Sequence, residues 1–260
     1  MKVLCVGDIV GEPGRKAFKA GLKIIKQSKP LDVIIANAEN AAGGAGITEE
    51  TAQEIFQSGA DIITTGDHIW DQKQMISVIG TIKNFLRPVN YPLFTPGVGS
   101  VIIEKHNLKI GVLQLQGRVF MKPLENPFSF AEKIVGQLRK ETNIICVDVH
   151  AEATSEKLAL AYFLKGKVSV IFGTHTHIPT ADERIFPEGT AYITDIGMTG
   201  PLNSILGRKP EQIIERFIKQ VPVKCEVAKG DMQIQGIIAD INEKTGKAFS
   251  IERVHLIIQV

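Results

Sequence analysis

The chain has 260 residues, a formal net charge of +2 at pH 7 and a pI near 8.3. With 30 Lys and Arg against 28 Asp and Glu, and 44% hydrophobic residues, it reads as an ordinary globular protein with a large core, not a basic nucleic-acid coat or a membrane-surface protein. No apolar run approaches the roughly 20 residues of a membrane span, and "MKVLCVGD" is too short for a secretory leader, so a cytoplasmic location is expected.

In chain order, "KVLCVG" opens with a strand and a helix follows over about 13–28, its lysines forming a solvated face. "DVIIANA" is the next strand, then a helix over 48–58 that starts at Thr48, then "DIITTG". Residues 86–100, with Pro88, Pro92, Pro96 and Gly97, form a loop too rich in proline for a helix. The strands "GSVIIE" and "KIGVLQLQ" lead to a second long loop, 117–128. Helices over 129–140, 155–165 and 210–219 alternate with the strands "NIICVDV", "VSVIFG" and "TAYITDIG". From about 221 the pattern changes to strands separated by "KGD" and "EKTGK", a β-rich C-terminal extension of antiparallel strands. The alternation predicts an α/β fold with a largely parallel sheet covered on both faces, in a single domain spanning 1–260. Cys5, Cys146 and Cys225 lie far apart with no C-x-x-C pair, which predicts reduced thiols and neither a zinc ribbon nor a disulfide framework.

The chemistry gathers where the apolar runs stop. Asp8 follows the first strand, Glu39 and Asn40 the second, and Asp67 and His68 the third; His150 ends "IICVDVH", and His175 and His177 end "VIFGTHTH". Ligands of open α/β folds bind at the carboxyl ends of parallel strands, so residues scattered over 170 positions can converge there. In an extended segment, His175 and His177 project to one side, as two ligands of one site would. Singly, each residue has a plain structural reading: Asp8 caps a helix, Glu39 pairs with a lysine, His150 is a satisfied core imidazole. Together they imply a cation, because burying several charges side by side without one is costly. A set of imidazoles and carboxylates without cysteine suits Zn, Mn or Fe better than Mg or Ca. His106 and His255 lie outside this pattern. The loop "NAAGGAGIT" reads equally as a cradle of amides for a phosphate or as a bend before a helix.

The blocks "GDIVGEPGR", "NAENAAGGAGIT", "TTGDHIWD", "VDVHAEATSEK", "GTHTHIPTADERI" and "AYITDIGMTGP" resemble, in order, the YmdB-like branch of the calcineurin-like metallophosphoesterases. The likeness runs from residue 1 to about 210. It implies two packed mixed β-sheets flanked by helices, and a dinuclear phosphodiesterase acting on cyclic nucleotides, 2′,3′-cyclic nucleotides above all, by in-line attack of a metal-bridging hydroxide. Two divalent or trivalent transition-metal ions are implied, iron or manganese first among them. By motif position Asp8, Glu39 and His177 hold one metal with Asn40 close by, and Glu39, Asp67, His150 and His175 hold the other. His68 is implied as the proton donor. Arg118 and Phe120, on the loop "GRVF", are expected to contact phosphate and base. RNA is not signalled as a partner, no membrane is, and assembly with further copies of the chain stays open.

Two positions depart from the pattern. The wider superfamily has a histidine two residues after the first aspartate, where this chain has Val10, as its YmdB-like branch does. The family pattern at 67 is usually asparagine, and this chain has Asp67. The second departure keeps a rival reading in play, a metal- and nucleotide-binding regulatory protein of low turnover. A metallohydrolase of peptides or phosphomonoesters is a further rival, although no H-E-x-x-H is present.

Overall fold

A computed structural model describes residues 1–259. The first third comprises β1 (Lys2–Val6), β2 (Asp8–Ile9), α1 (Gly11–Ser28), β3 (Val33–Asn37), α2 (Glu49–Ser58), β4 (Ile62–Thr64) and the short α3 (Met75–Val78). Next come β5 (Ser100–Lys105), β6 (Leu108–Gln116), α4 (Pro127–Leu138), β7 (Ile144–His150), α5 (Thr154–Leu164), β8 (Val170–Thr174), β9 (Arg184–Ile185) and β10 (Ala191–Ile193). The chain closes with β11 (Met198–Pro201), α6 (Pro210–Lys219), β12 (Met232–Ile241) and β13 (Ala248–Ile258).

These elements form two stacked mixed sheets, seven-stranded and six-stranded among the described residues. In the first, β1, β3 and β4 are parallel, and β12 runs antiparallel to β1. One side of β12 pairs along its length with β13; the other pairs first with β11 and then with β1. In the second sheet β6, β7, β8 and β10 are parallel, with β5 and β9 antiparallel at the two edges.

The side-chain period of two explains the layering. Val3 and Cys5 of β1 join Val33, Ile35, Val112, Cys146 and Phe172 in a core between the sheets. Leu4 and Val6, on the opposite face of the same strand, pack with Phe18 and Leu22 of α1 and Ile55 of α2. Beyond the second sheet, Leu113, Ile145 and Val147 pack with Val135 of α4 and Leu160 of α5. Strands buried on both faces read as unbroken apolar runs, which is why they stand out in the sequence. The largely parallel sheet expected from the alternation is divided into two mixed sheets, as the resemblance implied. Alternation identifies parallel neighbours but does not say which strands share a sheet.

Local chemistry sets the element ends. Thr48 caps α2: its Oγ1 accepts from Thr51 N at 3.2 Å, while Thr51 Oγ1 accepts from Thr48 N at 2.9 Å. Gly59 ends the helix at φ +118°. The proline-rich loop is organised by buried Arg87, which donates to the carbonyls of Pro88, Thr95 and Pro96. The strands expected from about 221 begin at Met232, and β12 joins the core as an internal strand of the first sheet. All three cysteines are unpaired. No helix among the described residues is long and apolar enough to cross a membrane.

Candidate metal centre

The carboxyl ends of β3, β4, β7 and β8 and the residues after β1 meet at one place. His150 Nε2 lies 3.1 Å from Glu39 Oε1, 3.1 Å from Asp67 Oδ1 and 3.0 Å from His175 Nδ1. The four residues offer ligand atoms that all lie within 4.8 Å of one another. Next to them, His177 Nε2 is 3.7 Å from Asp8 Oδ1 and 3.4 Å from the amide of Asn40. That amide is also 3.2 Å from Glu39 Oε1, so Glu39 stands between the two groups. The structure thus brings together all seven residues expected to hold metal.

Gly66 makes the approach feasible. A Cβ there would lie 2.1 Å from His150 Cδ2 and 2.5 Å from Glu39 Oε2, so any side chain at 66 would occupy the space the two ligands share.

The hydrogen bonds around the imidazoles fix their orientation. Thr174 Oγ1 donates to Asp148 Oδ1 at 2.7 Å, so towards His150 Nδ1, 2.9 Å away, it acts as acceptor. Nδ1 therefore carries a proton, and Nε2 is the ring nitrogen that faces Glu39 and Asp67. Two carboxylate oxygens 3.1 Å from Nε2 need a positive charge among them, a proton on Nε2 or a metal ion in its place. On His175, Nε2 meets Glu152 Oε2 at 3.1 Å, which leaves Nδ1 for the cluster. Such outer partners orient metal-binding histidines and raise their basicity.

One sequence expectation fails in its reasoning. β8 ends at Thr174, and His175 and His177 have φ of +94° and +64°, so they lie in a left-handed turn and not in extended chain. The turn sends them to different neighbours, His175 to Asp67 and His150, His177 to Asp8 and Asn40.

The electrostatics describe a site short of positive charge. Burial pushes His150 towards its neutral form, but Glu39, Asp67 and Asp8 outweigh it and hold its pKa well above the usual imidazole value. Burial likewise raises Asp67, yet contacts with His150 and His175 prevail and keep it well below the carboxylate range. Glu39 is lowered for a like reason, burial being overcome by His150. Asp8 goes the other way: burial dominates, and its pKa is raised despite His177 and His150. Its Oδ1 is buried without a hydrogen-bond partner. An orphaned buried oxygen 3.7 Å from an imidazole nitrogen, beside a second cluster of three such ligand types, fits a cation between them.

His68 stands at the rim. Its backbone N–H donates to Glu39 Oε2 at 3.2 Å and its Nδ1 is 2.8 Å from Asp71 Oδ2. It lines a cavity of about 570 Å³ together with Asn40, His175 and His177, and Leu206, Ile213, Arg216 and Phe217 form part of its wall. Arg118 and Phe120, the expected substrate contacts, lie on the loop after β6 and do not line this cavity; Arg118 N donates to Glu156, and Phe120 is exposed. The glycine loop is held from its carbonyl side. The Arg208 guanidinium donates to Gly43 O, Gly44 O and Cys225 O.

Sequence reasoning missed Asp71, Asp148, Glu152, Thr174 and Asp195. For Asp195 the signal was present, since it follows the apolar run "TAYIT" as the candidate ligands follow theirs.

Two stacked mixed sheets with imidazoles and carboxylates gathered at the strand ends define a metallophosphoesterase. A family model described as YmdB-like protein matches residues 4–254, and the chain belongs to that family. It is 46% identical over 254 residues to a 2′,3′-cyclic-nucleotide 2′-phosphodiesterase of Bacillus subtilis (strain 168), covering 98% of this chain and 96% of that one. The crystal structure of a phosphatase from Mycoplasma pneumoniae superposes with a TM-score of 0.93 at 35% identity, over 100% of this chain and 94% of that one. A 5′-nucleotidase precursor of Thermus thermophilus shares the fold, with a TM-score of 0.57 at 14% identity over 100% of this chain and 54% of its own.

Proposed function

We propose that this protein is a metal-dependent phosphodiesterase that hydrolyses cyclic nucleotides, with 2′,3′-cyclic nucleotides as its substrate class. The observation that carries the reading is the convergence of Glu39, Asp67 and His175 on Nε2 of His150, at the foot of an open cavity. The 46% identity to a relative of that activity supports the substrate class. Glu39, Asp67, His150 and His175 would hold one ion, and Asp8, Asn40 and His177, with Glu39 shared, a second. Iron or manganese suits this set of nitrogen and oxygen donors. Bound there, the ions would activate water and neutralise charge on the phosphoryl oxygens.

The chain's own residues do the rest. His68, its Nδ1 engaged by Asp71, gives its remaining ring proton to the ribose oxygen as the bond from phosphorus to that oxygen breaks and the hydroxyl of water is added. Arg216 has no ion-pair partner among the described residues, and Phe217 is 70% exposed. From the wall of the cavity they offer a guanidinium to phosphate and a ring to the base. Asp67 presents Oδ1 beside His150 and His175, so the departure from asparagine keeps the ligand atom.

Protein stripped with a chelator and reloaded with Mn²⁺ tests this. It should open 2′,3′-cyclic nucleotides to nucleoside monophosphates and act far more slowly on p-nitrophenyl phosphate. Activity that survives chelation, or a preference for the monoester, would sink the reading. Less than one turnover per chain at saturating Mn²⁺ would point to the regulatory alternative.

A further inference from the structure

Asp195 follows β10 and is fully buried, and Lys157 of α5 is buried against it. Lys157 Nζ donates to Asp195 Oδ2 at 2.7 Å. The same oxygen accepts from Thr176 Oγ1 at 2.8 Å and from Thr176 N at 3.2 Å, while Oδ1 accepts from Gly197 N at 2.9 Å. The carbonyl of Gly197 in turn accepts from Asp8 N at 3.2 Å. One carboxylate therefore ties together the turn that carries His175 and His177 and the segment that carries Asp8.

That turn needs an external hold. The positive φ values of His175 and His177 are unfavourable for residues with a Cβ and persist where the surroundings over-determine them. Thr176, between them, makes its side-chain hydrogen bond to Asp195. A buried ion pair is a poor device for stability alone, since well-packed apolar residues of similar volume serve as well or better. What an apolar pair cannot supply is a carboxylate able to accept four hydrogen bonds from three residues.

We propose that Lys157 and Asp195 form a positioning pair for the metal-binding turn. Asp195 clamps Thr176 and so sets the directions of His175 Nδ1 and His177 Nε2. Lys157 Nζ, donating to Oδ2, keeps the carboxylate aimed at the turn. The assignment rests on the metal-centre reading above.

The test is binding of Mn²⁺ to metal-free protein, followed by titration calorimetry, for wild type, Thr176→Val and Thr176→Ser. Valine matches threonine in shape and lacks only the hydroxyl that reaches Asp195, so the metal-free variant should melt close to wild type. Losing a hydrogen-bond partner of this kind typically costs about 10–100-fold in metal affinity, and that is the weakening expected for valine. Serine keeps the hydroxyl and should bind close to wild type. Activity of the valine variant, depressed at low Mn²⁺, should recover as Mn²⁺ is raised. Valine binding as tightly as wild type, or serine weakened as much as valine, would overturn the positioning role and leave the metal centre standing. A wild-type protein that takes up no Mn²⁺ would overturn the metal centre and this role with it.

Discussion

His68 and Asp71, three residues apart, meet at 2.8 Å between Nδ1 and Oδ2, and this contact decides which nitrogen of His68 is free to work. Partial burial pulls the imidazole pKa down, but Glu39, Asp67 and Asp71 together more than offset it, and the net shift is upward. A proton donor with a raised pKa is charged below that pKa and loses its function as pH rises through it. Asp71→Asn should therefore move the basic limb of the kcat–pH profile to lower pH. An unmoved limb would mean that Asp71 does not tune the donor. His68→Ala should lower kcat about 10²–10⁴-fold on a cyclic nucleotide and far less on a p-nitrophenyl diester, whose leaving group needs no proton.

Gly66→Ala should abolish activity while leaving most of the fold intact. The added methyl carbon falls 2.1 Å from the His150 ring, inside any tolerable contact, and the ring cannot yield without leaving the ligand cluster. Metal content per chain, measured by elemental analysis, should fall with activity. A variant that kept full metal content would show that the backbone absorbs the methyl.

Metal uptake should release protons and weaken as pH falls. His150 holds its proton more tightly than an ordinary imidazole, and a metal ion must displace it from Nε2. Asp8, also raised, adds to the competition. Below the pKa of a group that must deprotonate, affinity should drop by about tenfold per pH unit for each proton displaced. Calorimetry in two buffers of different ionisation enthalpy counts the protons. Binding independent of pH would contradict the ligand assignment of His150.

Asp67→Asn should raise kcat/KM on a cyclic nucleotide by about tenfold or more and loosen the metal that Asp67 would hold. Asparagine keeps an oxygen ligand and adds an NH₂ that can donate to a phosphate oxygen, a bond worth about 1.5–3 kcal/mol. It also removes a negative charge facing the anionic substrate; two unit charges about 4 Å apart repel by about 4 kcal/mol at an effective dielectric near 20, before any metal offsets it. Kinetics and Mn²⁺ titration on both proteins check the two halves. A slower asparagine form would make Asp67 an adaptation of this site.

Much of this was legible in the sequence, and for a physical reason. Doubly buried strands give apolar runs whose ends are sharp, so Asp8, Glu39, Asp67, His150 and His175 could be placed by where each run stops. The amphipathic helix Pro210–Lys219 was legible in extent but not in role, because which face meets the cavity depends on tertiary placement. That is why Arg216 and Phe217, which line the cavity, did not stand out in the sequence. Asp148 and Lys157 were invisible for the opposite reason: Asp148 sits inside an apolar strand and Lys157 in the polar first turn of a helix, and nothing local reveals the distant partner that satisfies either. The left-handed backbone of His175 and His177 was equally hidden, since neither residue type demands it.

The pairing of Lys2–Val6 with Gly236–Asp240 has a consequence for how the protein is made. A chain leaving the ribosome presents Asp8, Glu39, Asp67, His150, His175 and His177 well before Met232 emerges. Until then β1 lacks its antiparallel neighbour and α1 lacks the strand it lies against, where Gly21 approaches Ile234. Contacts of such long sequence separation form late, because the loop they close must first be ordered. A nascent chain truncated before residue 232 should carry all its candidate ligands and still fail to gather them. Metal capture would then wait for β12, so that a chain still short of it would neither sequester scarce ions nor begin to cut nucleotides.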